Sequence, residues 1–202
     1  QNFTTSTDSY NVGVGFSAGG AITTGVQNTL IGGLAGDALT TSNNNLAIGY
    51  KALSADTAGT KTTAIGFEAL MSQNFTTNTD SYNVAVGYTA GREITTGIQN
   101  TLIGALAGDA LTQGARNTAL GYFSLSSDTS GQYAVALGYS ALASQNFTTA
   151  TNNYNIGIGY NAGAAVTTGV QNTLIGGLAG DALTDADNNV AIGYQALTTE
   201  DI

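Results

Sequence analysis

The sequence has no histidine, cysteine, proline or tryptophan among its 202 residues. Histidine is the commonest general base and transition-metal ligand, and cysteine supplies disulfides and thiolate metal sites. A serine or threonine nucleophile would also lack the base that usually activates it. The composition therefore predicts a protein that is not an enzyme and that holds no cofactor and no metal.

Charge is scarce as well. Only 8% of the residues are charged, and 4 basic against 13 acidic side chains leave a formal net charge of −9. Such a field repels phosphate, which argues against nucleic acid and anionic membrane surfaces as partners. No apolar run approaches the roughly 18 residues of a membrane helix, and no signal-like segment opens the chain. If the protein is exported, we expect its signal outside this fragment.

The sequence repeats with a long period. The segment Gln-Asn-Phe-Thr-Thr begins at Gln1, Gln73 and Gln145, which are evenly spaced. The repeat divides the chain into blocks 1–72, 73–144 and an incomplete 145–202. Because no linker separates the blocks, we expect one continuous array over 1–202, cut from a longer one.

Within each block a shorter unit ends in an aliphatic residue followed by glycine. Three equal steps of about 17 residues are followed, in each complete block, by one step that is longer by four. We number position 0 at this marker glycine, and we number the units coil 1 to coil 11 in chain order. The marker glycines are Gly15, Gly32, Gly49, Gly66, Gly87, Gly104, Gly121, Gly138, Gly159, Gly176 and Gly193.

Position −1 is branched and aliphatic in every unit, and position −3 is Val, Leu, Ile or Thr. This alternation has the period of a β-strand. The −1 column comprises Val14, Ile31, Ile48, Ile65, Val86, Ile103, Leu120, Leu137, Ile158, Ile175 and Ile192.

Position +1 is aromatic in most units, and its regular spacing favours stacking in the core over a sugar-binding platform. The second unit of each block has a small residue instead, namely Gly33, Ala105 or Gly177. In the same units position −2 becomes leucine, as in Leu102. We interpret this exchange as volume compensation between stacked units.

Nine of the eleven units carry asparagine at −4, and a column of stacked asparagines can bond from coil to coil. These residues are Asn11, Asn28, Asn45, Asn83, Asn100, Asn117, Asn155, Asn172 and Asn189. Together the columns predict an all-β fold, a β-solenoid with coils of about 17 residues. At about 4.8 Å per coil, eleven coils would run on the order of 50 Å.

Both faces of each strand are apolar or small, so one face must fill the coil and the other needs a cover. A monomer would expose a continuous apolar stripe, which predicts a homo-oligomer. The four extra residues of the longer step fall in Met71–Tyr82 and Ala143–Tyr154, which we expect to form protruding loops with little burial.

We interpret the acidic residues as structural. Asp37, Asp109 and Asp181 follow glycine in Ala-Gly-Asp-Ala-Leu, where aspartate is a turn residue. We expect the acids in the Thr/Ser/Asn-rich stretches to lie in solvated loops without the spacing of a calcium site; they are Asp8, Asp80, Asp128, Asp185 and Asp187. The basic residues are too few for a patch and are expected at the surface; they are Lys51, Lys61, Arg92 and Arg116.

The units at Asn45–Leu53 and Asn189–Leu197 resemble the Ala-Ile-Gly repeats of YadA-like adhesin heads and of phage tail fibres. The segment Thr23–Gly32, which recurs at Thr95–Gly104 and Thr167–Gly176, is more similar to tail fibres of marine and environmental phages. The resemblance covers the whole chain. It implies a parallel homotrimer of left-handed β-rolls, although adhesin coils are typically shorter than the coils of this sequence.

This resemblance leads us to expect a structural segment of a phage tail fibre or related surface filament, located outside the cell on a virion or cell surface. Its partners would be two further copies of itself, and host glycans or proteins would be bound by a tip outside this segment. The alternative is the head of a bacterial trimeric autotransporter adhesin. An ice-binding solenoid is a third candidate, but the threonines at −3 occur mainly in alternate coils and form no evident flat array.

Overall fold

Residues 8–198 are described by the computed structural model, and they contain β-strands and turns but no helix. One three-residue strand covers positions −3 to −1 of each coil, and all eleven join in a single sheet. Its strands are β1 (Val12–Val14), β2 (Thr29–Ile31), β3 (Leu46–Ile48), β5 (Thr63–Ile65), β7 (Val84–Val86), β8 (Thr101–Ile103), β9 (Thr118–Leu120), β11 (Val135–Leu137), β13 (Ile156–Ile158), β14 (Thr173–Ile175) and β15 (Val190–Ile192).

All neighbouring strands of this sheet are parallel and in the same register. Ile31 pairs with Ile48, and Ile48 pairs with Ile65 in the next coil. The register is also kept across the longer step, where Ile65 pairs with Val86. Residues 8–198 therefore form a β-solenoid with eleven stacked strands, as the sequence predicts.

Two shorter strand pairs accompany the long coils. The first joins β4 (Gly59–Thr60) to β6 (Thr79–Asp80), and the second joins β10 (Gly131–Gln132) to β12 (Thr151–Asn152). Each pair ties the inserted segment of a long coil to the coil before it.

The marker glycine is required at the corner after each strand. Its φ lies between 127° and 146° in every coil, a region that side chains rarely adopt. The next coil is also very close, since a Cβ placed on Gly32 would lie 2.5 Å from the carbonyl oxygen of Gly49. The dihedral angle disfavours a larger residue in every coil, and the close approach excludes one in every coil that another described coil follows.

The interior of the solenoid is formed by positions −2, +3, +4 and +7. In coil 6, for example, Leu102, Ala107 and Leu111 are completely buried. The interior consists mainly of alanine, glycine and leucine, which suits short coils that enclose little volume.

The prediction that the aromatic column lies in the core is wrong. The +1 rings are on the outside of the chain, and Tyr88 and Tyr122 are about half exposed. The marker glycine and the residue at +2, which also has a positive φ, turn the chain between +1 and +3. As a result +3 points inward although +1 points outward, and strand alternation does not continue through the corner.

The predicted volume compensation between positions −2 and +1 is wrong, because these two positions do not contact each other. Leu102 at −2 is buried, whereas Ala105 at +1 belongs to the outer face, so the two cannot exchange volume. The leucine instead fills space left by glycine at +4, because a Cβ on Gly91 or Gly108 would lie within 2.9 Å of a Leu102 methyl carbon.

The inserted loops are more buried than predicted. Thr76, Thr77 and Asn78 are exposed, but Gln73 is fully buried and Phe75 is only 7% exposed. The second loop repeats this arrangement with buried Gln145 and Phe147. Only the tip of each loop protrudes.

Candidate interaction surface

The side chains at −3, −1 and +1 form one continuous face along the described part of the solenoid, which we call the outer strip. Every member of the predicted −1 column lies in it, and none of these side chains is fully buried. Ile103 is 37% exposed although it lies in the middle of the array. The outer strip is thus uncharged, mainly apolar and accessible over all eleven strands.

Regular pairing explains why the outer strip is half-buried rather than fully exposed. The in-register strands place each side chain directly above its equivalent in the previous coil, as for Ile103 beside Val86. Neighbouring side chains of the strip cover one another along the stack. In the described part of the chain, no further element packs on the strip from outside.

The aromatic residues of the outer strip stack into two ladders of three rings. In the first, the ring centroids of Tyr50 and Phe67 are 5.5 Å apart, and those of Phe67 and Tyr88 are 5.3 Å apart. The second ladder has similar spacing and consists of Tyr122, Tyr139 and Tyr160. Coil 6, with alanine at +1, separates the two ladders, and coils 2 and 10, with glycine at +1, lie at their outer ends.

Stacking determines what the ladders can bind. A sugar packs on the face of an aromatic ring, but both faces of Phe67 are already against neighbouring rings. The terminal Tyr50 has its other side beside Gly33, which has no side chain to cover it, since a Cβ there would lie 3.5 Å from Cδ2 of the tyrosine. The middle rings of the ladders therefore present their edges, which suit packing against another protein surface better than sugar stacking, while Tyr50 keeps one face without an aromatic neighbour.

Two smaller aromatic clusters occupy position −5. Lys61 donates to the Asp80 carboxylate over 2.6 Å and lies 5.1 Å from the centroid of the Tyr82 ring. The hydrogen bond from Lys61 holds the pKa of Asp80 down at about 2 and raises the pKa of Lys61. In the next block Tyr133 stacks on Tyr154 with centroids 5.2 Å apart. These clusters are at the surface, as predicted for the basic residues, although Lys51 and Arg92 are half-buried.

The asparagine column forms hydrogen bonds mainly to the backbone. Oδ1 of Asn28 accepts from the backbone N–H of Asn45 (3.1 Å), and Nδ2 donates to the carbonyl oxygen of Ser42 (2.8 Å). Direct bonds between asparagine side chains also occur, as from Asn28 to Asn11 (3.1 Å). The column thus satisfies buried backbone groups of each following coil.

Coils 4 and 8 lack asparagine at −4, and a buried polar network replaces it there. In the second block, Asp128 accepts from Nε2 of Gln145 (2.6 Å) and from the backbone N–H of Gly131 (3.0 Å) and Phe147 (3.0 Å). Oε1 of Gln145 in turn accepts from Nδ2 of Asn155 (2.8 Å). The first block has the same network around Asp56, Gln73 and Asn83.

Asp128 is therefore a correction to the sequence-based prediction, which placed it in a solvated loop. Its side chain is fully buried. Burial raises its pKa, while the hydrogen bonds from Gln145 and Phe147 oppose the rise. The Asp-x-x-Gly spacing of Asp128 and Gly131, together with a glutamine one coil later, is the sequence signal that could have revealed the network.

Asp37, Asp109 and Asp181 lie in turns, as predicted. In each of them Oδ1 is buried and has no hydrogen-bond partner. Desolvation raises the pKa of Asp109. These residues lie one per block, four coils apart, so they do not approach one another.

The sequence-based predictions did not include a column of threonines at +8. Oγ1 of Thr23 donates to the carbonyl oxygen of Thr40 (3.1 Å), and Thr40 donates in the same way to Thr57 (2.9 Å). Thr95, Thr112 and Thr129 repeat the pattern. Because these hydroxyl groups bond along the stack, the column stabilises the coil at this corner.

Among residues 8–198, no group of three or more acidic side chains is placed to hold a metal ion. The same range has no helix of the length and apolar character needed to cross a membrane. Comparisons with protein-family models, with curated proteins and with solved structures find no match for this chain.

Proposed function

We propose that this chain is a rigid structural segment of a phage tail fibre or a related surface filament, assembled from three parallel copies. Such a segment would hold a host-attachment tip away from the particle, on the outside of the cell or virion. The observation that carries the proposal is the outer strip, which stays uncharged, mainly apolar, accessible and in register over all eleven strands.

The outer strip supports self-association more than binding of a small ligand. It is long and repeats at the spacing of the strands, so another copy of the same solenoid matches it over its full length. It carries no charged side chain at −3, −1 or +1 in any coil. Two further copies around one axis would cover it and would give the stiffness that a fibre needs.

A mechanical role also agrees with the chemistry of the described residues. Their hydrogen bonds link each coil to the next through the backbone, the asparagine column and the threonine column. Two acidic side chains of the network, Asp56 and Asp128, are buried and occupied by N–H donors, so they are not free for acid–base chemistry.

Light scattering on the purified protein tests the oligomer. We expect three times the chain mass of 20.3 kDa, and electron microscopy should show straight rods. Ile103→Asp places a charge in the outer strip and should give monomers, whereas Gln99→Asp, at an exposed position on a different corner, should leave the oligomer intact. A stable wild-type monomer would contradict the proposal.

An adhesin head that binds another cell or matrix directly is the second candidate, and the exposed aromatic ladders favour it. The two functions differ in a binding assay, because a fibre shaft without its tip should not attach to cells. Attachment of the intact oligomer that is lost in Tyr139→Ser would favour the adhesin. In the full-length gene, a coiled-coil stalk with a membrane anchor would indicate an adhesin, and neighbouring virion genes a tail fibre.

A further inference from the structure

The interior side chains follow a cycle of four coils. Positions −2 and +4 vary inversely in size: leucine with glycine in coils 2, 6 and 10, and alanine with leucine in coils 3, 4, 7 and 8. Coils 5 and 9 have a small residue at both positions. At +7 the cycle reads aliphatic, aliphatic, aspartate and glutamine over the two complete blocks.

Contacts between coils explain the first part of the cycle. A Cβ on Gly91 of coil 5 would lie 2.7 Å from Cδ1 of Leu102, and a Cβ on Gly163 of coil 9 would lie 2.7 Å from Cδ1 of Leu174. A leucine at −2 therefore needs glycine at +4 of the preceding coil. The glycine of coil 5 or 9 also needs this leucine, because its own coil has a small residue at −2, and alanine at −2 of the next coil would leave the space empty.

The next contact joins one block to the following block. Leu142, at +4 of coil 8, lies so close to coil 9 that a Cβ on Gly157 or Gly163 would be 2.8 Å from its side chain. The glycines at −2 and +4 of coil 9 leave room for this side chain. Leu142 would clash with a leucine at −2 of the coil that follows it.

A polar contact fixes the remaining order. Asp128 of coil 7 accepts from Gln145 of coil 8, which accepts from Asn155 of coil 9. All three side chains are fully buried. An unpaired carboxylate in this interior would be strongly unfavourable. A coil with aspartate at +7 must therefore be followed by a coil with glutamine at +7, and that coil by one with asparagine at −4.

We propose that these buried contacts dictate which coil can follow which, so that the solenoid can be lengthened or shortened only in whole blocks of four coils. One block spans roughly 19 Å at about 4.8 Å per strand. The length of the solenoid along its axis would then change in steps of this size. The inference rests on interior contacts alone and is independent of the proposed function.

Two deletions test this order. Removing residues 28–99 takes out one full cycle and joins Gln27 to Asn100, so that coil 6 with its Leu102 follows coil 1 with its Gly19. Removing residues 100–116 takes out coil 6 only and leaves Gly91 facing Ala119, with no leucine to fill the space. Length alone would make the second variant more stable, because it keeps ten of the eleven coils while the first keeps seven.

We expect the opposite order: the block deletion should unfold in one transition at a higher temperature than the single-coil deletion. In the 100–116 deletion, Ala119→Leu with Leu125→Gly restores the leucine–glycine pair in the coil that now follows coil 5, and should raise the melting temperature. The inference is overturned if the single-coil deletion is as stable as the block deletion, if the block deletion fails to fold, or if the paired substitution gives no recovery.

Discussion

The carboxylate of Asp128 and the amide of Gln145, one coil apart, share a hydrogen bond of 2.6 Å in the interior of the solenoid, where both side chains are fully buried. An ionised aspartate accepts on both oxygens and donates nothing. It therefore suits a site where two backbone N–H groups and one side-chain amide all point inward. The network takes the place of the asparagine column where that column is interrupted.

Gln145→Leu should destabilise the protein because it leaves Oδ2 of Asp128 and one hydrogen of the Asn155 amide without partners. Each unsatisfied buried group costs about 1–3 kcal/mol, and more for a charged group. Chemical denaturation measures the change. Gln171→Leu, at an exposed position with positive φ where other coils tolerate large side chains, is the control and should change stability little. Equal effects of the two substitutions would exclude a special role for the network.

The stability of the protein should increase as the pH is lowered from 7 towards 4. Burial raises the folded-state pKa of Asp128 and of Asp109, so the stability linked to their protonation is complete below the unfolded pKa and is lost as pH rises through the folded pKa. Asp80 acts in the opposite direction at lower pH, because its pKa is about 2 when folded and its contribution is lost as pH falls towards that value.

Melting temperatures from pH 7 to pH 2 test this profile, and we expect a maximum near the unfolded pKa of aspartate, about 4. Asp128→Asn should lower the melting temperature throughout and flatten the rise between pH 7 and 4. A wild-type melting temperature that falls steadily from pH 7 downwards would contradict the prediction, as would an unchanged slope in Asp128→Asn.

Periodicity predicted the coils and their strands because a solenoid repeats each local choice many times. Eleven aliphatic residues before eleven glycines predict the strand, as β8 (Thr101–Ile103) illustrates. Periodicity could not say which side of the chain faces inward, because that depends on backbone angles at the corner. The positive φ of Leu106, next to Ala105, is not visible in a pattern of apolar residues.

The same limit explains why the polar network was missed. Asp128 and Gln145 each look like ordinary polar residues in a turn-rich stretch, and they are 17 residues apart in sequence. Only the stacking of coils brings them together. The apolar character of the outer strip was predictable, because both faces of the strands lack charge over the full length. Its outward position was not, since the side of the strand that carries +1 was expected in the core.

Gly121→Ala should destabilise the protein far more than Gly193→Ala. Both glycines have a positive φ, 138° and 127°, so the backbone strain is similar. A Cβ on Gly121 would lie 2.6 Å from the carbonyl carbon of Gly138 in the next coil, whereas nothing lies within 4 Å of one on Gly193. The difference between the two melting temperatures therefore measures the close approach alone. Similar losses would show that strain, and not coil contact, requires the glycine.

Leu102→Ala should cost roughly 2–5 kcal/mol per chain, although alanine is the natural residue at −2 in coils 5 and 7. Leu102 is fully buried and fills the space beside Gly91 and Gly108, which alanine cannot fill. Ile103→Ala in the outer strip is the comparison. In the dissociated chain it should cost less, because Ile103 is 37% exposed. An unchanged melting temperature in Leu102→Ala would show that the interior assignment of −2 is wrong.

The inserted loop should divide into a dispensable tip and an essential base. Phe75 is 7% exposed and packs against coil 3, where a Cβ on Gly59 would lie 2.9 Å from its Cδ2. Phe75→Ala should therefore cost about 3–5 kcal/mol, as for a buried phenylalanine. Thr77→Ala at the exposed tip should cost less than about 0.5 kcal/mol.

Deleting Thr76–Thr79 shortens the longer step to the length of the others and tests the loop as a whole. The deletion removes the backbone bond from Thr79 to Ala58 and the exposed tip, but it leaves Phe75 and the Asp56–Gln73 bond in place. We expect the shortened protein to fold and assemble with a modestly lower melting temperature, measured by circular dichroism and light scattering. Loss of assembly would mean that the tip is part of the core, and loss of cell binding in an intact oligomer would favour the adhesin over the fibre shaft.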